Sequence, residues 1–250
     1  MIYSKWKEWG MKVNNAYIKI LRNISLYNSN LVYEGDKIIK VNKDNAIFVE
    51  AYVPDFIDVP IYTRSVSEIL RLIDDDTNIS VDMDDKGYYI IIDNGIGKVK
   101  YKMAKKSIVE KFVNNNRDID EMFSRCERNI VKFNLSKEKY EELMKVSKML
   151  DTNILQITSE NDNVIKLTTY TREYKDDKQY TIDVEVNHVH FDESLRFQLN
   201  CVDYVQASDY NIEIGLKNTK TNSATLPLIK ATAFMDDKIK VKYLTVGEKL

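Results

Sequence analysis

The stretches "VSEILRLIDDDTNISV" (residues 66–81) and "LMKVSKMLDTNILQI" (residues 143–157) follow one pattern. Each has apolar residues at helical spacing, then an acidic turn, and then Thr-Asn-Ile at the start of a predicted strand. The apolar stripe of the first stretch has a counterpart 77 residues later in the second, and the matched residues are Val66, Ile69, Leu70 and Ile73 with Leu143, Val146, Ser147 and Leu150. A repeated helix-then-strand unit predicts an internally duplicated fold.

The same unit, one helix followed by three strands, is predicted four times along the chain. The first copy begins with a helix over residues 14–27, and the fourth keeps only a helical turn or two in "CVDYVQAS" (residues 201–208). Pairs of such units predict an α+β protein of two similar domains, each with helices on one layer and antiparallel sheets on the other. We predict domains at residues 11–103 and 130–250, joined by a charged interdomain connector at residues 104–129.

Composition narrows the classes of function. The chain has 250 residues, of which 44% are hydrophobic and 30% are charged, as is typical of a globular protein. No apolar run approaches the length of a membrane span, so no membrane partner is expected. The net charge of −2 excludes a uniformly basic nucleic-acid binder, so any DNA contact needs a segregated basic face. Cys126 and Cys201 are too far apart for a metal motif or a disulfide framework, which favours a reducing cytoplasm.

Known catalytic and cofactor motifs are missing from the sequence. It contains no G-x-x-x-x-G-K-[ST], no G-x-G-x-x-G and no H-E-x-x-H, which predicts a protein that is not an enzyme and has no cofactor or metal. His188 and His190 alternate on a strand-like run, but no acidic or thiol partner stands at a diagnostic spacing, and their role stays open. The acidic clusters at residues 74–76 and 84–85 suit solvated turns better than the metal site of a nuclease.

Basic residues recur on the sides of three predicted helices that face away from the apolar stripes. One such face is typical of an ordinary solvated surface. Three on the same layer predict a positive strip that contacts DNA phosphates without reading the base sequence. The predicted DNA-binding residues are Lys12, Lys19, Arg22, Arg64, Arg71, Lys137, Lys145 and Lys148.

Several phrases of the sequence resemble the DNA polymerase sliding clamps (processivity factors) of T-even-like bacteriophages. They are "KILRNISLYNSNLVYEGDKI" and "SVSEILRLIDDDTNISVDMDDKGYYIIID" in the first half, and "IVKFNLSKEKYEELMKVSKML", "YTIDVEV" and "IKVKYLTVGE" in the second. The resemblance implies a homotrimeric ring in the host cytoplasm that encircles double-stranded DNA, with helices inside and sheets outside. It also implies a DNA polymerase and a clamp-loader ATPase as partners. The rival hypothesis is a viral structural or assembly protein built from repeated α+β domains.

The resemblance further implies a pocket in which partner proteins dock short peptide tails, beneath the connector and against the C-terminal strand. The residues that match this pocket by position are Val41, Asn45, Pro227, Tyr243, Leu244 and Val246. For each of them, packing in the core or at a sheet edge is an equally good interpretation.

Overall fold

The computed structural model divides the chain into two compact units. Unit 1 comprises Met1–Val41 and Ala51–Asn115, and unit 2 comprises Asn42–Glu50 and Asn116–Leu250. The described residues are 9–12, 15–33, 38–54, 60–73, 77–84, 87–112, 118–174, 178–187, 189, 191–205, 209–219, 224–235 and 237–250. The predicted connector, residues 104–129, is shared between the two units.

The first half of the chain alternates helices with short runs of strands. In chain order the elements are β1 (Trp9–Lys12), α1 (Asn15–Tyr27), β2 (Leu31–Tyr33), β3 (Ile38–Lys43), β4 (Ile47–Tyr52), β5 (Ile61–Thr63), α2 (Val66–Leu70), β6 (Asn78–Asp84), β7 (Gly87–Asp93), β8 (Lys98–Lys102) and α3 (Lys106–Val109). Unit 1 holds an antiparallel sheet of order β1-β6-β7-β8 and a second group of order β5-β2-β3. The tip of the β3–β4 hairpin belongs to unit 2.

Helix α1 confirms the helix predicted over residues 14–27. Tyr17, Ile20, Leu21 and Ile24 are buried, as their spacing predicts. Helix α2 is shorter than the predicted apolar stripe and ends at Leu70, yet all four residues of that stripe are buried. The two helices are neighbours in unit 1, so the duplicated unit does place its helices together.

The second half begins with a short helix within the predicted connector and then, like the first half, has a helix followed by a run of strands. They are α4 (Ile119–Phe123), β9 (Arg128–Leu135), α5 (Lys137–Leu150), β10 (Ile154–Asn161), β11 (Val164–Tyr170), β12 (Gln179–Glu185), β13 (Leu195–Gln198), β14 (Tyr210–Asn218), β15 (Thr225–Phe234) and β16 (Lys240–Val246). Unit 2 has one sheet of order β12-β11-β10-β13 and another of order β4-β16-β15-β14-β9. A 3₁₀ turn at Leu199–Cys201 overlaps the predicted fourth helix (residues 201–208) at Cys201 alone, and residues 206–208 lie outside the described part of the chain.

Helix α5 has well-defined ends. The Ser136 hydroxyl accepts a hydrogen bond from the Lys139 backbone N–H at 3.3 Å, as expected of an N-cap, and Asp151 ends the helix in the left-handed conformation with φ of 55°. The buried side carries one polar residue, Ser147, whose hydroxyl donates to the Leu143 carbonyl and also hydrogen-bonds the Thr169 hydroxyl. These bonds satisfy a group that would otherwise be costly to bury.

Four tyrosines pack together in the core of unit 2, namely Tyr140, Tyr204, Tyr210 and Tyr243. The Tyr243 hydroxyl accepts a hydrogen bond from the Val205 backbone N–H at 2.9 Å, and the Tyr210 hydroxyl donates to the Val205 carbonyl at 2.6 Å. Burial raises the pKa of Tyr204 and of Tyr243 well above the usual value, so both hydroxyls stay neutral.

In the described part of the chain, no helix is long and apolar enough to cross a membrane.

Candidate nucleic-acid and peptide interfaces

The predicted DNA-binding residues of unit 1 lie on its helices or beside them. Lys19 and Arg22 are exposed on the side of α1 opposite its buried stripe. Arg64 precedes α2 and Arg71 caps its C-terminal end, and both are exposed. The side chain of Lys12 is outside the part of the structure that is described. The described helix surface of unit 1 therefore concentrates positive charge, with Glu68 as an exposed acid on α2.

The corresponding residues of unit 2 stand on the exposed side of α5. Lys137 lies 3.9 Å from the Glu141 carboxylate, and Lys148 lies 3.5 Å from the Asp203 carboxylate. Lys145 is exposed as well. This face is mixed in charge, so a DNA phosphate would compete with an existing carboxylate for Lys137 and for Lys148.

The last strand of unit 2 sends alternate side chains to opposite faces of its sheet. Tyr243 points towards the tyrosine core, where its hydroxyl accepts a hydrogen bond from the Val205 backbone N–H. Leu244 points the other way and packs with Phe48 and Leu228. Because β15 and β16 are in register, with Leu228 opposite Val246 and Lys230 opposite Leu244, one face of the two strands combines apolar and basic side chains.

Helix α4 of unit 2, which falls within the predicted connector, lies on that same face, which we call the outer groove. The groove is formed by Phe48, Leu228, Lys230, Lys242, Leu244 and Val246. Ile119 and Phe123 of α4 are buried against its apolar part, with 1% and 6% of their surfaces exposed. Asp118 caps the helix by accepting a hydrogen bond from the Glu121 backbone N–H at 2.9 Å. Helix α4 thus covers the outer groove with a single helical turn.

An ion-pair network holds α4 beside the apolar contact. The Asp120 carboxylate lies 2.6 Å from the Lys242 ammonium and 3.1 Å from the Lys230 ammonium. Lys230 also contacts Glu213 at 2.9 Å, and Lys242 contacts Glu50 at 3.2 Å. The hydrogen bond from Lys242 lowers the pKa of Asp120, so the attraction is complete above the ordinary aspartate pKa and disappears only as the pH falls through the lowered value.

The six residues predicted for the partner pocket are distributed over different environments. Leu244 and Val246 belong to the outer groove. Asn45 is exposed in the β3–β4 turn with φ of 55°, and the adjacent Ala46 carbonyl accepts a hydrogen bond from the Val246 N–H at 2.8 Å. Tyr243 is on the opposite face of the sheet, and Val41 is a buried residue of unit 1.

Pro227, the sixth predicted pocket residue, is buried beneath the end of the chain. The Gly247 N–H donates to the Pro227 carbonyl at 2.7 Å. A Cβ atom at residue 247 would come 2.6 Å from the Pro227 Cγ atom, so only glycine allows this close approach. In this structure Pro227 supports the C-terminal residues and is not open to a ligand.

The sequence interpretation missed Phe48, Leu228, Lys230 and Lys242, which complete the outer groove. The signal for Leu228, Lys230 and Lys242 is the two-residue period of "LPLIKA" (residues 226–231) and "KVKYLTV" (residues 240–246), which also places Tyr243 and Leu244 on opposite faces. His188 and His190 lie outside the described residues. Among the residues that are described, no three histidine, cysteine, aspartate or glutamate side chains come together as a metal site.

Comparison with known proteins identifies the fold. No protein-family model and no curated protein matches the sequence. Among solved structures, PCNA from Thermococcus kodakaraensis aligns with a TM-score of 0.65 and 7% identity over 96% of this chain and 99% of its own. The PCNA2–PCNA3 complex from Sulfolobus tokodaii aligns with a TM-score of 0.62 and 10% identity over 97% of this chain and 99% of its own. The Helicobacter pylori beta clamp bound to a DNA ligase peptide aligns with a TM-score of 0.56 and 14% identity over 100% of this chain and 68% of its own. The chain therefore has the DNA-clamp fold along nearly its whole length.

Proposed function

We propose that the chain is a sliding clamp, a ring that encircles double-stranded DNA and tethers a replicative DNA polymerase. The observation that carries the proposal is the match of almost the entire chain to almost the entire length of PCNA chains. We propose a bacteriophage replication system as its setting, and the resemblance of several sequence segments to T-even-like phage clamps supports this. A clamp-loader ATPase would open the ring. No chemical step is required of the clamp itself, because a closed ring retains DNA by its topology.

The basic helix surfaces suit this role. A clamp has to slide, so its contacts with DNA must be weak, electrostatic and independent of base sequence. Lys19, Arg22 and Arg71 are exposed on long side chains around α1 and α2, and Lys145 is exposed on α5. The overall charge of −2 is consistent with a positive strip on an otherwise acidic body.

Ring closure requires a contact between two different surfaces of the chain. In the described sheets, β8 is an edge strand next to β7, and β12 is an edge strand next to β11. The first is basic, "KVKYK", and the second carries Asp183 and Glu185 in "QYTIDVE". We propose that β8 of one copy pairs with β12 of the next. This contact is heterologous, and a heterologous contact forms a ring when the rotation between successive copies closes. We propose that it closes as a trimer.

Topological retention on DNA tests the proposed function directly. One end of a DNA duplex would be tethered to a bead, and the protein would be added so that it can load from the free end. The free end would then be either left open or blocked with a bulky protein. We expect the protein to survive a high-salt wash on blocked duplex and to be lost from open duplex. Equal loss from both would contradict the ring proposal.

Neutralising one basic residue in each unit should weaken DNA binding without changing sequence preference. For Arg71→Ala with Lys148→Ala, we expect the slope of log K against log salt concentration to flatten by about 1 to 2, since each lost phosphate contact contributes about 0.9. The measurement is salt-dependent binding to duplexes of different sequence.

The matched control is Lys132→Ala with Lys166→Ala, which removes the same charge from the opposite sheet faces, where Lys132 and Lys166 alternate with buried residues. It should leave the slope unchanged. An effect of the Arg71 and Lys148 substitutions confined to particular DNA sequences would refute sequence-independent contact.

A further inference from the structure

We propose that helix α4 is a resident ligand of the outer groove, and that a partner peptide binds there by displacing it. The partner would present one helical turn of the same chemistry, namely an aliphatic residue, an acid directly after it, and an aromatic residue four positions after the aliphatic one. The partners are replication proteins only if the proposed function is correct. The occupancy of the groove by α4 does not depend on it.

The apolar contact explains why α4 is helical at all. A helix of five residues is not stable alone in water, because nucleation is unfavourable and few hydrogen bonds follow it. Ile119 and Phe123 are one turn apart, and both are buried against Leu228 and Leu244. The turn therefore owes its conformation to the groove, as a docked peptide does.

The charged part of the groove selects an acid. The side chains of Lys230 and Lys242 are each 14% exposed. Lys230 contacts the carboxylate of Glu213, and Lys242 contacts that of Glu50. These contacts hold both ammonium groups in place beneath Asp120. An ammonium group has three N–H donors, so loss of the Asp120 oxygens leaves donors unsatisfied in a half-buried site. An incoming ligand that supplies an acceptor at that point restores these hydrogen bonds and so binds more tightly than one that does not.

The far end of the groove selects an aromatic residue. The Lys230 ammonium lies 5.0 Å from the centre of the Phe123 ring, within range of a cation–π contact. Beneath the ring the sheet carries Gly215. A Cβ atom there would come 3.3 Å from Phe123 Cζ and 2.8 Å from Cys126 Sγ. The missing side chain leaves space that the ring and the thiol occupy.

Cys126 provides a direct measure of α4 docking. Its thiol packs at the edge of the groove, and burial raises its pKa to about 11. Release of α4 would expose the thiol and bring its pKa back towards that of a free cysteine, which increases the reactive thiolate fraction. Cys201 is buried elsewhere in unit 2 and serves as the internal control.

The test uses the full chain and the synthetic capped peptide DIDEMFSR, the sequence of residues 118–125. Alkylation of each cysteine by iodoacetamide is followed by mass spectrometry as the peptide is added. We expect the rate at Cys126 to rise at least about tenfold and then saturate, while the rate at Cys201 stays constant. A peptide that fails to bind, or that binds by fluorescence anisotropy without accelerating Cys126, would overturn the proposal.

Two neighbouring acids of α4 form a matched pair of variants. Asp120 contacts both groove lysines, whereas Glu121 is exposed and contacts Arg125, just beyond the end of the helix. Replacing the second aspartate of the peptide (the counterpart of Asp120) by alanine should weaken binding about tenfold, and replacing the glutamate should not, because only that aspartate accepts the two charge-assisted hydrogen bonds from the groove lysines. Equal losses would refute selection by the lysines. The peptides need not fold, so instability cannot obscure this result.

In the full chain, Asp120→Ala should accelerate alkylation of Cys126 without added peptide, and Glu121→Ala should leave the rate unchanged. Gly215→Ala offers a second way to loosen the connector, since the added methyl group collides with the Cys126 thiol. Unchanged Cys126 rates in both Asp120→Ala and Gly215→Ala would show that α4 is not a displaceable ligand. None of these measurements involves DNA or a polymerase, so failure of the clamp proposal would leave their outcome separately interpretable.

Discussion

A chain in which Lys100 is replaced by proline is expected to remain monomeric under conditions in which the unaltered chain assembles. The reason is the direction of one backbone N–H group. The Met103 N–H donates to the Tyr88 carbonyl at 2.9 Å, and the Asn94 N–H donates to the Gly97 carbonyl at 3.3 Å. Hydrogen-bonded pairs alternate with non-bonded pairs along an antiparallel ladder, so Lys100, opposite Ile91, directs its N–H away from β7.

Proline at position 100 therefore removes a donor from the free edge of β8 and none from the β7–β8 ladder. Proline is tolerated on edge strands, so unit 1 should remain folded. We expect loss of assembly because a proposed β8–β12 pairing would lose a backbone hydrogen bond and meet a bulky ring. The measurement is oligomer mass by light scattering, together with thermal unfolding to verify the fold.

Lys100→Ala is the matched control because it keeps the backbone N–H. It removes the ammonium group, which lies 3.1 Å from Asp82 in an exposed pair of small energetic value. The alanine variant should assemble. If the proline variant also assembles, then β8 does not pair through its backbone, and the ring must close through another surface.

Tyr243→Ala is expected to destabilise unit 2 by about 3–5 kcal/mol, the usual cost of truncating a buried aromatic residue. The substitution leaves a cavity among three other tyrosines and removes the acceptor of the Val205 N–H. Domains are typically stable by about 5–15 kcal/mol, so much of the stability would be lost. Tyr243→Phe keeps the ring and should cost only about 1–2 kcal/mol, the contribution of one buried hydrogen bond.

The adjacent Leu244→Ala should act on the opposite face. It reduces the apolar contact with Ile119 and Phe123 of α4, so it should increase the reactivity of Cys126 and impair partner docking while the tyrosine core stays intact. Urea unfolding and Cys126 alkylation on the same preparations distinguish the two substitutions. If Tyr243→Ala unfolds at the same urea concentration as the unaltered chain, the hydroxyl and ring do not support the core as described.

The elements that the sequence predicted best are the long periodic ones. Helices α1 and α5 appear where apolar residues recur every three or four positions. Strands β1 and β5 were not predicted, since they have four and three residues and so carry no measurable period. Helix α4 was not predicted, because its five residues are helical only through contact with a sheet whose strands are far away in the sequence.

The sequence by itself determined the class of this protein: a duplicated α+β chain with basic helix faces. Those features are periodic and local, and they depend on neighbouring residues alone. Only the tertiary structure decided which side chains share a surface. It brings Asp120 to Lys230 and Lys242, which are 110 and 122 residues away, and it separates Tyr243 from Leu244 across the thickness of a sheet. No local pattern encodes such pairs, because contacts between distant strands are set by the register and order of the whole sheet.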